Sequence, residues 1–230
     1  MKKRQQISTI LLVAALLLII SSGCKKNDEE PLVIKDGDGN VYTSVTIGNQ
    51  VWLKQNLKTT KFNDETTIPL VTGNTDWNSL SAPGYCWYNN DEATYKSDYG
   101  ALYNWYAVST GKLCPKGWHV ATNDEIDILV DFLGDYNTAG GKLKEKGTTH
   151  WNSPNEGATD DYGFSFLPGG YRNYTGTFSE IRINGVWWNI TEDAGHDMGY
   201  INILYKDFAR IAENSEVNKK NGYSVRCLKD

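Results

Sequence analysis

Helical spacing of apolar residues is clearest between Thr122 and Gly134. Thr122 and Glu125 form the capping-box pattern, in which each side chain accepts a backbone N–H at the first turn of a helix. The apolar residues that follow share one face because they are spaced i, i+3, i+4 and i+7: Ile126, Leu129, Val130 and Leu133. Gly134 then supplies a residue that readily ends a helix. The pattern predicts an amphipathic helix of about three turns, which belongs to the scaffold rather than to the chemistry.

A second helical pattern covers residues 99–110. Asp98 precedes it as a candidate cap, and Gly111 follows its end. One stripe of this predicted helix consists of Leu102, Trp105, Tyr106 and Ser109. The sequence thus predicts two capped helices in the middle of the chain.

Strand-like segments, with alternating or short apolar runs, surround the two predicted helices. Residues 41–47 alternate before Gly48-Asn49, a two-residue hairpin turn, and residues 50–53 form the returning strand. Further short strands are predicted at residues 164–167, 185–188, 200–205, 209–212 and 223–228. Trp187 and Trp188 are adjacent in one of them, so their side chains must point to opposite faces of its sheet. Two helices with many short strands predict an α+β domain.

The N-terminal residues have the pattern of a bacterial lipoprotein signal. A basic start precedes an apolar run at residues 10–20, which is short for a membrane-spanning helix. Small residues lead to Cys24, which we predict to be lipidated after cleavage of residues 1–23; an ordinary secretory signal is the alternative. Residues 24–31 predict a flexible tether, and residues 32–230 a single domain. The predicted location is the bacterial outer membrane. The acidic residues after Cys24 fit an outward-facing anchor and a plain solvated linker equally well.

Charge and cysteine content exclude several classes of partner. Residues 1–23 hold three of the 23 basic residues and none of the 28 acidic residues, so the remaining chain carries a net charge of −8. This charge argues against nucleic acid as a partner, because phosphates require basic patches.

The chain has no C-x-x-C motif, and its three histidines are widely separated, so we predict no metal site and no cofactor. The D-x-D-x-N stretch at residues 36–40 predicts a hairpin turn rather than a calcium loop.

Seven segments in order resemble the Fibrobacter succinogenes major paralogous domain family. They are GNVYTSVTIGNQVWLKQNLK (39–58), YCWYNND (85–91), YGALYNWYA (99–107), LCPKGWHVATNDE (113–125), GFSFLPGGYRN (163–173), GVWWNITE (185–192) and NGYSVRCLKD (221–230). The resemblance covers nearly the whole chain after the tether. That family consists largely of secreted or lipid-anchored bacterial proteins whose biochemical role is poorly defined.

The layout is also similar, more distantly, to C-type-lectin-like and formylglycine-generating-enzyme-like folds. That similarity implies two helices packed on short, mostly antiparallel sheets with long loops, and a last strand that pairs with the first. It also implies a disulfide between Cys114 and Cys227, which would leave Cys86 as a free thiol.

Aromatic residues inside polar segments are the candidate ligand-binding residues. Most lie in residues 58–98, a stretch without a clear helix or strand period. Flat rings beside amide groups suit the faces of sugars, so we predict binding through Trp77, Trp87, Tyr88 and Tyr171. Trp77 is the first choice because Asp76 and Asn78 flank it. The alternative is that these rings fill the core of a loop-rich domain.

Three functions are compatible with these observations. The first is a non-enzymatic cell-surface module that binds a glycan or a glycosylated partner. The second is a structural or adhesin module that contacts proteins. The third is a carbohydrate-active enzyme that uses carboxylates such as Asp160-Asp161 or Glu192-Asp193, although no catalytic motif supports it.

Overall fold

The computed structural model describes residues 33–192 and 198–230. In this part of the chain the helices are α1 (Asn74–Ser79), α2 (Glu92–Tyr99), α3 (Trp105–Val108), α4 (Asn123–Leu133) and α5 (Tyr136–Leu143), with a 3-10 turn at Tyr88–Asn90. The strands are β1 (Ile34–Lys35), β2 (Val41–Tyr42), β3 (Ser44–Ile47), β4 (Gln50–Leu53), β5 (Tyr85–Cys86), β6 (Leu102–Tyr103), β7 (Trp118–Val120), β8 (Gly169–Arg172), β9 (Phe178–Ile181), β10 (Asn184–Glu192), β11 (Met198–Tyr205), β12 (Ile211–Asn218) and β13 (Cys227–Lys229). The predicted α+β class is confirmed.

Two small antiparallel sheets form the framework. One has the strand order β3-β4-β13-β7, and the other has the order β10-β11-β12. Three two-stranded pairs, β1-β2, β5-β6 and β8-β9, surround them. In the first sheet Leu228 lies opposite Trp52, and Cys227 lies opposite Val120. The last strand therefore lies between β4 and β7. It does not pair with the first strand, β1, which pairs with β2, so the implied pairing of the last strand with the first is wrong.

Helix α4 forms as its local sequence predicts. The Thr122 and Glu125 side chains each accept the backbone N–H of the other residue, which completes the capping box. All four residues of the predicted stripe are buried: Ile126, Leu129, Val130 and Leu133. They share a core cluster with Trp52 and Trp187, so α4 is attached to both sheets through its apolar face.

The predicted helix over residues 99–110 is wrong. Tyr99 instead ends α2, whose cap is Asp91, and Gly100 follows with a positive φ of 73°. A Cβ atom on Gly100 would lie only 2.4 Å from the carbonyl oxygen of Leu57. The chain therefore turns sharply here and pairs Leu102 with Cys86 before the one-turn helix α3 begins.

Other predicted segments also differ from the structure. The predicted strands at residues 209–212 and 223–228 are strands only from Ile211 and from Cys227 onward. Residues 58–98, predicted as a long loop region, contain α1, β5 and α2. Residues 164–167 make only an isolated bridge between Phe166 and Lys144, because the backbone at Ser165 has a positive φ of 50°.

The two adjacent tryptophans of β10 point in opposite directions, as predicted. Trp187 packs on Phe166 in the core cluster beside α4, with a distance of 4.6 Å between the ring centroids. Trp188 enters the other large core cluster, where its indole Nε1 donates to the carbonyl oxygen of Tyr103 over 2.7 Å. Strand β10 is therefore shared between the two largest apolar clusters.

The predicted disulfide is confirmed. Cys114 and Cys227 are bonded, and their sequence separation is 113 residues. The bond joins the segment before β7 to β13, which already pairs with β7. Cys86 is free and buried, and burial raises the pKa of its thiol to about 12.

The predicted signal, the Cys24 lipidation site and the tether lie outside the described residues. None of the helices within residues 33–192 and 198–230 has the length and apolar character that crossing a membrane requires.

Candidate ligand-binding clefts beside helix α2

The aromatic residues chosen from the sequence do not form an exposed binding surface. Trp77 lies inside α1 and has 0% of its surface exposed. Trp87 and Tyr88 are also buried, and Tyr171 is half-buried against Tyr223. A ring without an exposed face cannot stack on a sugar, so the prediction that Trp77 is the stacking surface is wrong.

Arg172 covers the ring of Trp77, which also packs in a cluster with Cys86, Tyr88 and Leu102. Its guanidinium lies over the Trp77 ring, 4.5 Å from the centroid, and donates to the carbonyl oxygens of Val71 and Thr72 over 2.6 and 2.8 Å. These bonds draw the segment before α1 onto strand β8, and Trp77 is enclosed between them. The polar neighbours Asp76 and Asn78, which favoured Trp77 in the sequence, are exposed on the other side of a short helix.

Trp87 and Tyr88 are covered by neighbouring side chains. The Lys96 ammonium lies 5.1 Å from the centroid of the Trp87 ring. Tyr88 packs between Tyr95 and Phe178, with centroid distances of 5.1 and 5.3 Å. Both rings therefore support the inner side of α2.

The candidate catalytic carboxylates are not assembled into an acid pair facing a cleft. Both oxygens of Asp160 accept hydrogen bonds from Ser165, over 2.8 Å from its backbone N–H and 2.6 Å from its hydroxyl. Asp161 is exposed. The pair Glu192-Asp193 cannot be placed, because Asp193 lies outside the described residues.

An open groove, here called the outer groove, lies between α2 and the segments at Asn40 and Lys58. Its volume is about 560 Å³. Its lining consists of an amide, a carboxylate, two ammonium groups, a hydroxyl and one methyl group: Asn40, Lys58, Glu92, Ala93, Lys96 and Ser97. The groove therefore offers both hydrogen-bond donors and acceptors.

The Asn40 side of the outer groove is held in place by Asp36. The Asp36 carboxylate accepts the backbone N–H of Asn40 over 3.0 Å and its side-chain amide over 2.8 Å. It also accepts the Tyr42 hydroxyl over 2.5 Å. Burial and the Asp36 charge raise the pKa of Tyr42, so this hydroxyl remains a donor. The turn at residues 36–40 connects the antiparallel strands β1 and β2, so the predicted hairpin turn is confirmed.

The α2 side of the outer groove carries a charge pair on top of an aromatic ring. Lys96 contacts Glu92 over 2.6 Å, one helical turn away. Because the Lys96 ammonium also lies over Trp87, its position is fixed from two directions. Lys58 has no ion-pair partner among the carboxylates of the described residues.

A smaller cavity, here called the inner cavity, lies at the C-terminal end of α2. Its volume is about 250 Å³. Its lining consists of Lys54, Gln55, Asp98, Glu145, Ser165, Leu167 and Arg226. Ser97 lines the outer groove and Asp98 the inner cavity, so the last turn of α2 contributes to both.

Sequence reasoning missed both cavities because their residues come from distant segments. The outer groove combines Asn40 and Lys58 with the first and last turns of α2. No motif joins these positions, and α2 itself was not predicted. Nothing in the sequence places Lys58 beside Lys96.

The fold and the two clefts define a small α+β module with polar ligand-sized cavities and a core rich in tryptophan. The chain belongs to the Fibrobacter succinogenes major domain family, whose model matches residues 45–229. No curated protein and no solved structure shows a significant match to it.

Proposed function

We propose that this chain is a lipid-anchored cell-surface module that binds a glycan, or a glycosylated partner, in the outer groove without transforming it. The observation that carries this proposal is the groove itself. Its volume of about 560 Å³ lies within the range of roughly 300–1,000 Å³ that is usual for small-molecule sites. This volume suits one or two sugar rings.

The chemistry of the lining fits sugar hydroxyls. Each hydroxyl both donates and accepts, so a sugar site needs both kinds of partner. Lys58 and Lys96 donate, Glu92 accepts, and Ser97 does both. The hydrogen bonds to Asp36 and the contact with Trp87 already restrict the side chains, which lowers the entropy lost on binding.

Similarity to a C-type-lectin-like fold supports the same proposal by analogy only. We propose a C-type-lectin-like arrangement, because the last strand joins an early strand and a disulfide ties it to the segment before β7. A fold alone does not establish a function, so the proposal depends on the groove. Lipidation at Cys24 would place such a module on the membrane surface, in line with the family resemblance.

A glycan-array experiment tests the proposal. The purified full-length chain, kept in mild detergent, is applied to an array of bacterial and host glycans. We expect specific binding that Lys58→Met weakens by roughly tenfold or more. Lys35→Met is the matched control, since Lys35 is an exposed lysine on β1 outside the groove.

Each outcome bears on one function. A blank array, or equal binding by the Lys58→Met variant, would contradict glycan binding in this groove. Turnover of a bound glycan would indicate the enzyme instead.

A protein-binding module is the second candidate, and one observation favours it. Ile128 and Phe132 are spaced i, i+4 on the outer face of α4 and are 56% and 50% exposed. Neighbouring exposed apolar side chains often mark a contact with another protein. If the array is blank, co-purification of a partner that is lost in an Ile128→Asp variant would support this function.

A further inference from the structure

The cations that line the inner cavity lie at the ends of two paired strands. Lys54 follows β4, and Arg226 directly precedes β13. Since Leu228 pairs with Trp52 in antiparallel register, the residues after β4 run alongside those before β13. Lys54 and Arg226 are thereby brought to the same side of the cavity, which both of them line.

Arg226 is a buried cation without a nearby carboxylate. It is 1% exposed, and its guanidinium donates to the side-chain oxygen of Asn56 and to the carbonyl oxygen of Phe164. Burial lowers its pKa to about 9, and the more distant Asp160 offsets this only in part. The ion pairs formed by the described lysines involve Lys61, Lys96, Lys112 and Lys206, and do not include Lys54. Neither Lys54 nor Arg226 therefore forms an ion pair with a carboxylate of the described residues.

The acids of the inner cavity come from different elements and are grouped by a histidine. Asp98 lies in the last turn of α2, and Glu145 follows α5. His150 lies between them, with Nδ1 2.8 Å from Glu145 Oε1 and Nε2 3.7 Å from Asp98 Oδ2. The Asp98 side chain is 51% exposed and therefore accessible, whereas the Glu145 side chain is 22% exposed and both of its oxygens contact His150 Nδ1. The cavity thus presents grouped acids as well as grouped cations.

We propose that the inner cavity binds a small zwitterion of the α-amino-acid type, with its carboxylate toward Lys54 and Arg226 and its ammonium toward Asp98 and Glu145. A ligand with one charge would satisfy only one of the two groups. The volume of about 250 Å³ limits the ligand to a small molecule or a chain terminus. Gln55 and Ser165 supply further hydrogen-bonding groups, and Leu167 supplies an apolar contact for a side chain.

The test measures binding of L-alanine to the purified full-length chain by calorimetry and by thermal shift. Acetate and ethylamine, each carrying one of the two charges, are measured in parallel. We expect L-alanine to bind at least about tenfold more tightly than either. Lys54→Met and Asp98→Asn should each weaken L-alanine binding by roughly tenfold. Lys116→Met is the control, because Lys116 is exposed and lies outside the cavity.

Four outcomes would overturn the proposal. They are no detectable binding of L-alanine or of other α-amino acids, equal binding of acetate, equal binding of ethylamine, and binding that neither cavity variant alters. Arg226 is not substituted, because its bonds to Asn56 and Phe164 make it part of the core. The Lys58→Met variant of the outer groove should bind L-alanine normally, so this proposal and the glycan proposal fail independently.

Discussion

At the scale of single residues, three buried cations organise loops that have little regular structure. Lys144 donates to the carbonyl oxygens of Glu156, Tyr205 and Phe208 over 2.7 to 3.0 Å. Arg172 and Arg226 likewise bond to backbone carbonyl oxygens. A buried charge is costly unless it is hydrogen-bonded. Each cation therefore stabilises the one backbone arrangement that provides its acceptors.

Substitution of Trp77 should destabilise the protein rather than weaken sugar binding. Trp77→Ala removes a fully buried indole beneath Arg172, so we expect a loss of about 3–5 kcal/mol in the free energy of unfolding. Tyr174→Ala is the control, since Tyr174 is 48% exposed and should change stability by only about 0.5 kcal/mol. Urea unfolding measures both. Equal stability of the Trp77→Ala variant and the wild type would contradict the buried position.

Glu213 should make stability depend on pH. Burial, together with Asp127 and Asp131, raises its pKa from 4.5 to about 7, although a hydrogen bond from Tyr136 acts in the opposite direction. Between these two values the folded protein binds more protons than the unfolded chain, so stability falls as pH rises through this interval.

A Glu213→Gln variant tests this dependence. It should match the wild type near pH 4.5 and be more stable at pH 8, because the amide cannot ionise. Glu216→Gln, an exposed acid on the same strand, is the control. Melting temperatures across this pH range provide the measurement. Parallel curves for the wild type and Glu213→Gln would show that Glu213 titrates normally.

At the scale of elements, the boundary between α2 and β6 depends on one glycine. Gly100 has a positive φ, and a Cβ atom there would collide with the carbonyl oxygen of Leu57, so two separate constraints exclude a side chain. Gly111 also has a positive φ, of 67°, but no atom lies within 4 Å of the position of its missing Cβ. Alanine substitutions at these two glycines therefore separate the cost of backbone strain from the cost of steric contact.

Gly100→Ala should be more destabilising than Gly111→Ala. The second substitution carries only the strain of a left-handed alanine, about 1 kcal/mol. The first adds a contact at 2.4 Å with a carbonyl oxygen, which requires the backbone to move. Chemical unfolding of both variants provides the comparison. Equal losses would show that the Leu57 segment shifts without cost.

At the scale of the whole molecule, the C-terminal strand is joined to earlier segments in two ways. Strand β13 pairs with β4 and β7, and the disulfide links it to the segment before β7. The chain-entropy model assigns roughly 4–5 kcal/mol to a disulfide that closes a loop of this length.

Membrane attachment is a prediction for the whole molecule. In a bacterial host with lipoprotein processing, the wild type should sediment with membranes. Cys24→Ala should release it or leave the signal uncleaved, because no thiol remains for the lipid. Cys86→Ala controls for general loss of a cysteine. A soluble wild type whose first residue lies beyond Cys24 would contradict lipidation.

Local sequence was sufficient to predict a structural feature wherever the interactions that determine it lie a few residues apart. The capping box and apolar stripe of α4 span less than four turns, and the opposite directions of Trp187 and Trp188 follow from strand geometry alone. The hairpin turn at Gly48 is local as well. These features could be predicted because the backbone periods of 3.6 and 2 act on neighbouring side chains.

Only the tertiary structure decided the burial of Trp77, the end of α2 and the composition of both cavities. Trp77 is covered by Arg172, which is far away in the sequence, and Gly100 turns because the Leu57 backbone occupies the space beside it. Lys54 and Arg226 line one cavity through the pairing of the strands they adjoin, β4 and β13. Such contacts depend on which segments the packed core brings together, and side-chain periodicity along the chain carries no information about that.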